Sequence, residues 1–237
     1  LPISEPEPEP EPEPPAPTPT ELIVNHLRGK GLFVRQNREI SRDPKEAAQI
    51  YASWGFKTAV VMTMVGSGGR ANQSPEFFRE LKRLGVSVWA MWLLPRPDTW
   101  RRQIDDFFAF GEQVGVDGYV TDEEVEWKSA GDEADVYGAA TFARARAQGR
   151  PIVITSYGSM QFHQRSFPIE IFARYRDGGI PQLYDRDMNF SAKYFRDGLT
   201  AWRRHGFAKK PLIIGGGLWN HTAARTKSPA ELERYLN

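Results

Sequence analysis

The run Asp117-Gly118-Tyr119-Val120-Thr121-Asp122-Glu123-Glu124 leads from an apolar stretch into carboxylates. On an extended strand, residues two apart point to the same face, so Asp122 and Glu124 share one side. A strand that ends in two same-facing acids suits paired-carboxylate chemistry. One group holds a proton for a leaving oxygen while its neighbour, by repulsion, keeps that proton from dissociating too early. Hydrolysis of a glycosidic bond is the reaction that most often uses such a pair. The competing reading is a cluster of solvated acids capping a loop.

Those acids need a frame, and the chain alternates as a βα protein should. Strands are expected at Gly31–Val34, Thr58–Val65, Val86–Leu93, Gly118 into the acids, Pro151–Tyr157, Pro181–Tyr184 and Pro211–Gly215. Helices are expected after Asp43-Pro44 and Ser74-Pro75, from Thr99 to Val114, Asp135 to Ala147, Pro168 to Arg176 and Ser191 to His205, and after Ser228-Pro229. Pro at the first helical position, an Asp or Ser cap before it and Gly after the last turn mark these boundaries. The strands are continuously apolar, as in a parallel sheet covered on both faces. Seven βα units predict a (β/α)8-type TIM barrel with the eighth unit missing or irregular, in preference to a doubly wound open sheet. Gly66-Ser67-Gly68-Gly69 lacks the Lys-Ser/Thr of a phosphate loop and reads as a flexible crossover. The eighth position could be truncated, closed over by seven strands, or filled by Leu22–Leu27.

In such a barrel the chemistry sits at the C-terminal ends of the strands. Besides Asp122, Glu124 and Glu126, that rim gathers Trp92, Ser156, Tyr157, Gln182, Tyr184, Asp185, Asp187, Trp219, Asn220 and His221. Acids among Trp and Tyr suit a saccharide, because aromatic faces stack on the C–H faces of a pyranose. Trp92, Tyr157, Trp219, Asn220, Gln182 and Asp187 are the expected substrate-binding set. Trp92 and Trp219 could equally be core.

Residues 1–21 hold six Glu and no Lys or Arg, which leaves 31 basic against 24 acidic residues, or +7, on residues 22–237. The Pro-Glu alternation over residues 4–20 predicts a stiff, extended linker with about 3 Å of reach per residue. It is expected to precede a single catalytic domain over 22–237 and to tie it to an upstream anchoring or binding module. Leu1 is not an initiator Met, so the chain reads as a piece of something longer. The basic body is either ordinary surface charge or suited to an anionic polymer such as a bacterial cell wall, and it shows no dense nucleic-acid stripe. There is no Cys, and no apolar run long enough for a membrane span. The four His lack metal-ligand spacing, so neither metal nor cofactor is expected. A divalent cation held by the acids is a lesser alternative.

Asp117-Gly118 with Asp122 and Glu124 resembles the fourth-strand Asp-Gly-x-Asp-x-Asp-x-Glu signature of glycoside hydrolase family 18, the chitinase-like barrels. Tyr184-Asp185 is similar to that family's sixth-strand Met-x-Tyr-Asp. Val120 stands where the middle Asp of the signature belongs. The same segment also resembles the fourth-strand Asp-x-Glu of glycoside hydrolase family 25, the muramidases, with Phe33 in place of that family's first-strand acid. The resemblance implies Glu124 as general acid and Asp122 as its partner, orienting a substrate N-acetyl group whose carbonyl attacks the anomeric carbon. It implies that Tyr184 hydrogen-bonds the acetamido oxygen and that Asp185 stabilises developing positive charge. The implied substrate is a β-1,4-linked glycan polymer with N-acetylated sugars. Peptidoglycan is preferred over a chitin-like chain, in a secreted, cell-envelope or phage-associated setting. A glycan-binding barrel without hydrolysis is the alternative from another functional class, motivated by Val120 and Phe33.

Overall fold

The computed structural model describes residues 17–27, 31–66, 68–71, 73–183, 192–213, 219–220 and 225–226. Six parallel strands form the sheet: β1 (Gly31–Val34), β2 (Thr58–Val65), β4 (Ser87–Leu93), β5 (Gly118–Asp122), β6 (Ile152–Tyr157) and β7 (Gly178–Gln182). Their order is β1-β2-β4-β5-β6-β7, each strand beside its sequence neighbour in the manner of a barrel. The short β3 (Gly69–Arg70) folds back antiparallel onto the end of β2. The glycine stretch is therefore a tight reversal rather than a loose crossover, with Gly66 and Gly69 at positive φ. The expected strand at Pro211–Gly215 reduces, among the described residues, to a parallel bridge between Leu212 and Gly179. A two-stranded antiparallel ribbon, β8 (Trp219–Asn220) with β9 (Arg225–Thr226), stands apart from the main sheet.

Helix starts follow the expected chemistry. Asp43 accepts hydrogen bonds from the amides of Lys45 (2.8 Å) and Glu46 (3.0 Å) and opens α2 (Pro44–Ser53). Ser74 caps α3 (Pro75–Arg83) through the Glu76 amide. Gly115, at φ 65°, stops α4 (Ile104–Val114). The helix expected from Thr99 is broken: a 3-10 turn, Trp100–Arg102, precedes α4. Two further helices, α5 (Gly131–Ala147) and α6 (Ile169–Arg174), follow β5 and β6, and α7 (Ala192–Trp202) follows β7.

Strand alternation splits the core in two. Ala59, Val61, Val88, Ala90, Trp92, Tyr119, Ile152 and Ile154 pack outward against the helices. Phe33, Val60, Trp89, Met91, Val120, Val153 and Ile180 form a separate inner cluster drawn from β1 through β7. Side chains from both ends of the strand order meet in one cluster only if the sheet curls, so it is an incomplete barrel rather than a flat layer. Gly118 lies beside Trp89 in register, and a Cβ there would sit 2.4 Å from the indole. Glycine at 118 is what lets the inner tryptophan lie across the strand.

The gap-filling expectation for Leu22–Leu27 is corrected. These residues belong to helix α1 (Pro19–Leu27), whose Ile23 and Leu27 enter the inner cluster. Thr18 and Glu21 form a capping box: the Glu21 carboxylate accepts from the Thr18 amide at 2.7 Å and the Glu21 amide donates to the Thr18 hydroxyl at 3.3 Å. Residues 19–21 are thus helix, not linker, while residues 1–16 lie outside the described part. The Ser87 hydroxyl meets His26 Nδ1 at 3.1 Å, and the Thr58 hydroxyl donates to the His26 carbonyl. Thr58 and Ser87 begin β2 and β4, so α1 lies across the N-terminal mouth of the barrel. No helix among the described residues is long and apolar enough to cross a membrane.

Candidate active site

β5 ends with alternating directions. Val120 and Asp122 share the inward face, while Tyr119 packs outward. Asp122 is 3% exposed, and its Oδ1 accepts from the Gln182 amide at 2.7 Å. Gln182 closes β7, two strands away, on the same inward face as Ile180. The two residues meet only because the sheet curls. Burial pushes the Asp122 carboxyl well above the usual carboxylate range; the charges of Glu124, Glu123 and Glu126 push it further, and the Gln182 hydrogen bond opposes them.

Glu124 leaves the strand with extended φ and opens a 3-10 turn, Val125–Trp127. It is half-buried, and among neighbouring charges its effect on Asp122 is the largest. Tyr157, at the end of β6, packs edge-on against Phe167 and lies within electrostatic reach of the same acids. Its phenol is pushed up to about 12 by burial, then by Glu124, Glu126 and Asp122. The Tyr157 ring stacks on His163 at 3.7 Å and 11°, with the Lys128 ammonium 5.4 Å from the ring centre. Burial and that nearby Lys128 lower the His163 pKa. The arrangement can hold a proton on one carboxyl of a crowded acidic group, beside a phenol that stays protonated across the physiological range.

Of the residues expected from sequence, Asp122 and Gln182 are in direct contact, and Glu124 and Tyr157 lie within electrostatic reach of Asp122. Trp92 is not among them. It is fully buried on the outer face, 5.3 Å from the Phe107 ring and 6.0 Å from that of Tyr137. In β4 the inward positions belong to Trp89 and Met91, so alternation sends Trp92 to the helices. Ser156 is likewise buried, its hydroxyl donating to the Glu123 carbonyl. Val120 is buried in the inner cluster at the position where the resemblance expects an acid. Tyr184, Asp185, Asp187 and His221 lie outside the described residues. Trp219 and Asn220 sit on β8, and their side chains also lie outside the described part. No cluster of three or more potential metal ligands occurs among the described residues.

Sequence reasoning missed one arrangement. Glu123 points away from the acids and is fully buried against an equally buried Arg176, at 2.8 Å. A signal existed: position 123 continues the outward row of β5, where a charge needs a partner.

No protein-family profile matches the chain, and no curated protein does. Solved structures do match its fold. A class V chitinase from Nicotiana tobaccum superposes with a TM-score of 0.55 at 18% identity, covering 78% of this chain and 65% of that one. A chitinase from Chromobacterium violaceum gives 0.55 at 9% identity, over 77% of this chain and 67% of the other. Human YKL-39, described as a pseudo-chitinase with retained chitooligosaccharide binding, gives 0.57 at 8%, over 77% and 64%. The chain spans just under two thirds of the length of the tobacco enzyme. The fold is that of the chitinase-like barrels, with its last part irregular among the described residues.

Proposed function

We propose that this chain is a glycoside hydrolase that cleaves β-1,4 bonds next to N-acetylated sugars. The observation that carries the reading is the inward-facing Asp122, buried at the C-terminal rim of a curled parallel sheet with Glu124 as its strongest charged neighbour. Glu124, the less buried of the two, donates the proton to the leaving glycosidic oxygen. Asp122 keeps a negative neighbour or a proton beside it and, with Gln182, orients the substrate acetamido group. That group's carbonyl oxygen attacks the anomeric carbon, so no protein nucleophile is required. Tyr157 supplies a phenolic donor at the same rim, and Tyr184 and Asp185 are proposed to complete the site.

A chitin-type oligosaccharide is the substrate favoured by the fold neighbours, whose names are those of chitinases. Peptidoglycan, the substrate preferred from sequence, becomes the second choice and rests on the basic body. The polymer and the Pro/Glu segment fit a secreted or envelope-associated protein with an upstream module. A second reading, glycan binding without turnover, draws on Val120. Its apolar side chain leaves Asp122 without a carboxyl beneath it on β5.

The test is reducing-sugar release from chitin oligosaccharides and from purified peptidoglycan by wild type and Glu124→Gln. Hydrolysis by wild type that drops about 100-fold or more in the variant is expected. Equal rates sink the assignment of Glu124. Binding by both proteins without release by either selects the second reading.

A further inference from the structure

We propose that the buried Glu123–Arg176 pair is a positioning device that, from behind the strand, holds Asp122 toward the barrel interior and fixes the peptide leading into Glu124. The inference rests on the hydrolase reading for its catalytic consequence and on geometry for its substance.

Glu123 is the residue between the two acids. Its side chain and that of Arg176 are both 0% exposed. Arg176, just ahead of β7, spreads its donors over four acceptors. Nη2 reaches Glu123 Oε1 at 2.8 Å, and Nε reaches the Thr121 hydroxyl at 3.1 Å. Nη1 reaches the Thr141 hydroxyl on α5 at 3.1 Å and the Tyr175 carbonyl at 3.0 Å. One guanidinium therefore fastens the two outward side chains that flank Asp122. With Thr121 and Glu123 pinned behind the sheet, strand alternation leaves Asp122 only the inward direction. The Ser156 hydroxyl also donates to the Glu123 carbonyl, which fixes the peptide leading into Glu124. The guanidinium is packed near the rings of Tyr137 (5.5 Å) and Phe172 (5.7 Å), so water cannot substitute for these bonds.

A hydrophobic residue at 123 would satisfy the outer core at least as well, because a buried ion pair is rarely worth more than well-packed apolar side chains. What the pair adds is direction: a planar, five-donor fork fixes the angle of the strand end as a methylene contact does not.

Two variants test this. Arg176→Lys keeps both charges but loses the fork that joins Thr121 to Glu123. Glu123→Leu/Arg176→Met removes the pair with side chains of similar volume, and stability is expected to be retained. In each, kcat on the N-acetylated substrate is expected to fall about 10- to 100-fold with KM nearly unchanged, the signature of misaimed groups rather than lost binding. A folded variant of either kind with wild-type kcat overturns the proposal. If wild type turns over no glycan, the hydrolase reading fails on its own. Positioning is then read from the carboxyl carbon titration of Asp122 by NMR. A shifted titration in Arg176→Lys, where the charge count is unchanged, supports the proposal, and superimposable curves overturn it. Should Arg176→Lys not fold, the double variant decides by kcat against KM or, without turnover, by hydrogen exchange of the Gln182 side-chain amide that bonds Asp122: lost protection supports the proposal and unchanged protection overturns it.

Discussion

Asp122→Asn should make the protein more stable and less active, and the stability gain should grow with pH. An unfolded aspartate ionises near pH 3.9. In the folded chain burial and three neighbouring carboxylates hold the Asp122 carboxyl well above that value. Between the two pKa values the native state binds more protons than the unfolded state, so wild-type stability declines as pH rises through that window. The limiting slope for one group is about 1.4 kcal/mol per pH unit. For a chain of this size 1 kcal/mol moves Tm by about 2–4 °C, so the slope corresponds to roughly 3–6 °C per pH unit. Asn is nearly isosteric with Asp, and its carbonyl can still accept from Gln182, which bonds Asp122 at 2.7 Å. The amide cannot ionise, so this contribution to the slope disappears. Thermal unfolding followed by circular dichroism from pH 4 to 8 checks it. The two Tm curves should meet near pH 4 and diverge above it, with the variant higher. Parallel curves would refute the claim that a strained acid sits at the end of β5. Turnover should fall in the same variant, the trade expected where a site is built at the expense of stability.

Other expectations concern the frame. Trp92→Ala should lower unfolding free energy by about 3–5 kcal/mol in denaturant titration, with glycan affinity of the folded fraction unchanged, because the indole packs on Phe107 and Tyr137 rather than on ligand. Ile23→Ala should cost about 2–5 kcal/mol by the same measurement, since Ile23 is fully buried in the inner cluster. A change under about 0.5 kcal/mol would show that α1 is dispensable. Gly118→Ala forces a Cβ to 2.4 Å from Trp89, and about 1–3 kcal/mol of destabilisation is expected from overpacking.

Strand alternation and turn chemistry were legible where they act locally. The Asp43-Pro44 and Ser74-Pro75 helix starts stand where their caps put them, and apolar runs such as Thr58–Val65 are strands. The inward placement of Asp122 also follows from a two-residue period. The meeting of Asp122 with Gln182 does not follow from spacing, because it depends on how far the sheet curls between β5 and β7. The two readings of Trp92, platform or core, stay open in the sequence for a related reason. Its aromatic type suits a sugar platform, but only register and neighbours decide which face of β4 it occupies. Helix α1 was hidden by composition: the Pro-rich run ends in Thr18-Pro19-Thr20-Glu21, a cap that looks like more linker until its hydrogen bonds are traced. Arg176 carries no sequence cue of its own, since its partner lies 53 residues earlier.

The stopper formed by α1 has a geometric corollary. Ile23 and Leu27 seal the floor of the bowl while the acids ring its rim, so chain arriving from before Pro19 joins on the underside. A group attached at the start of α1 would therefore stand at the opposite end of the strands from Asp122.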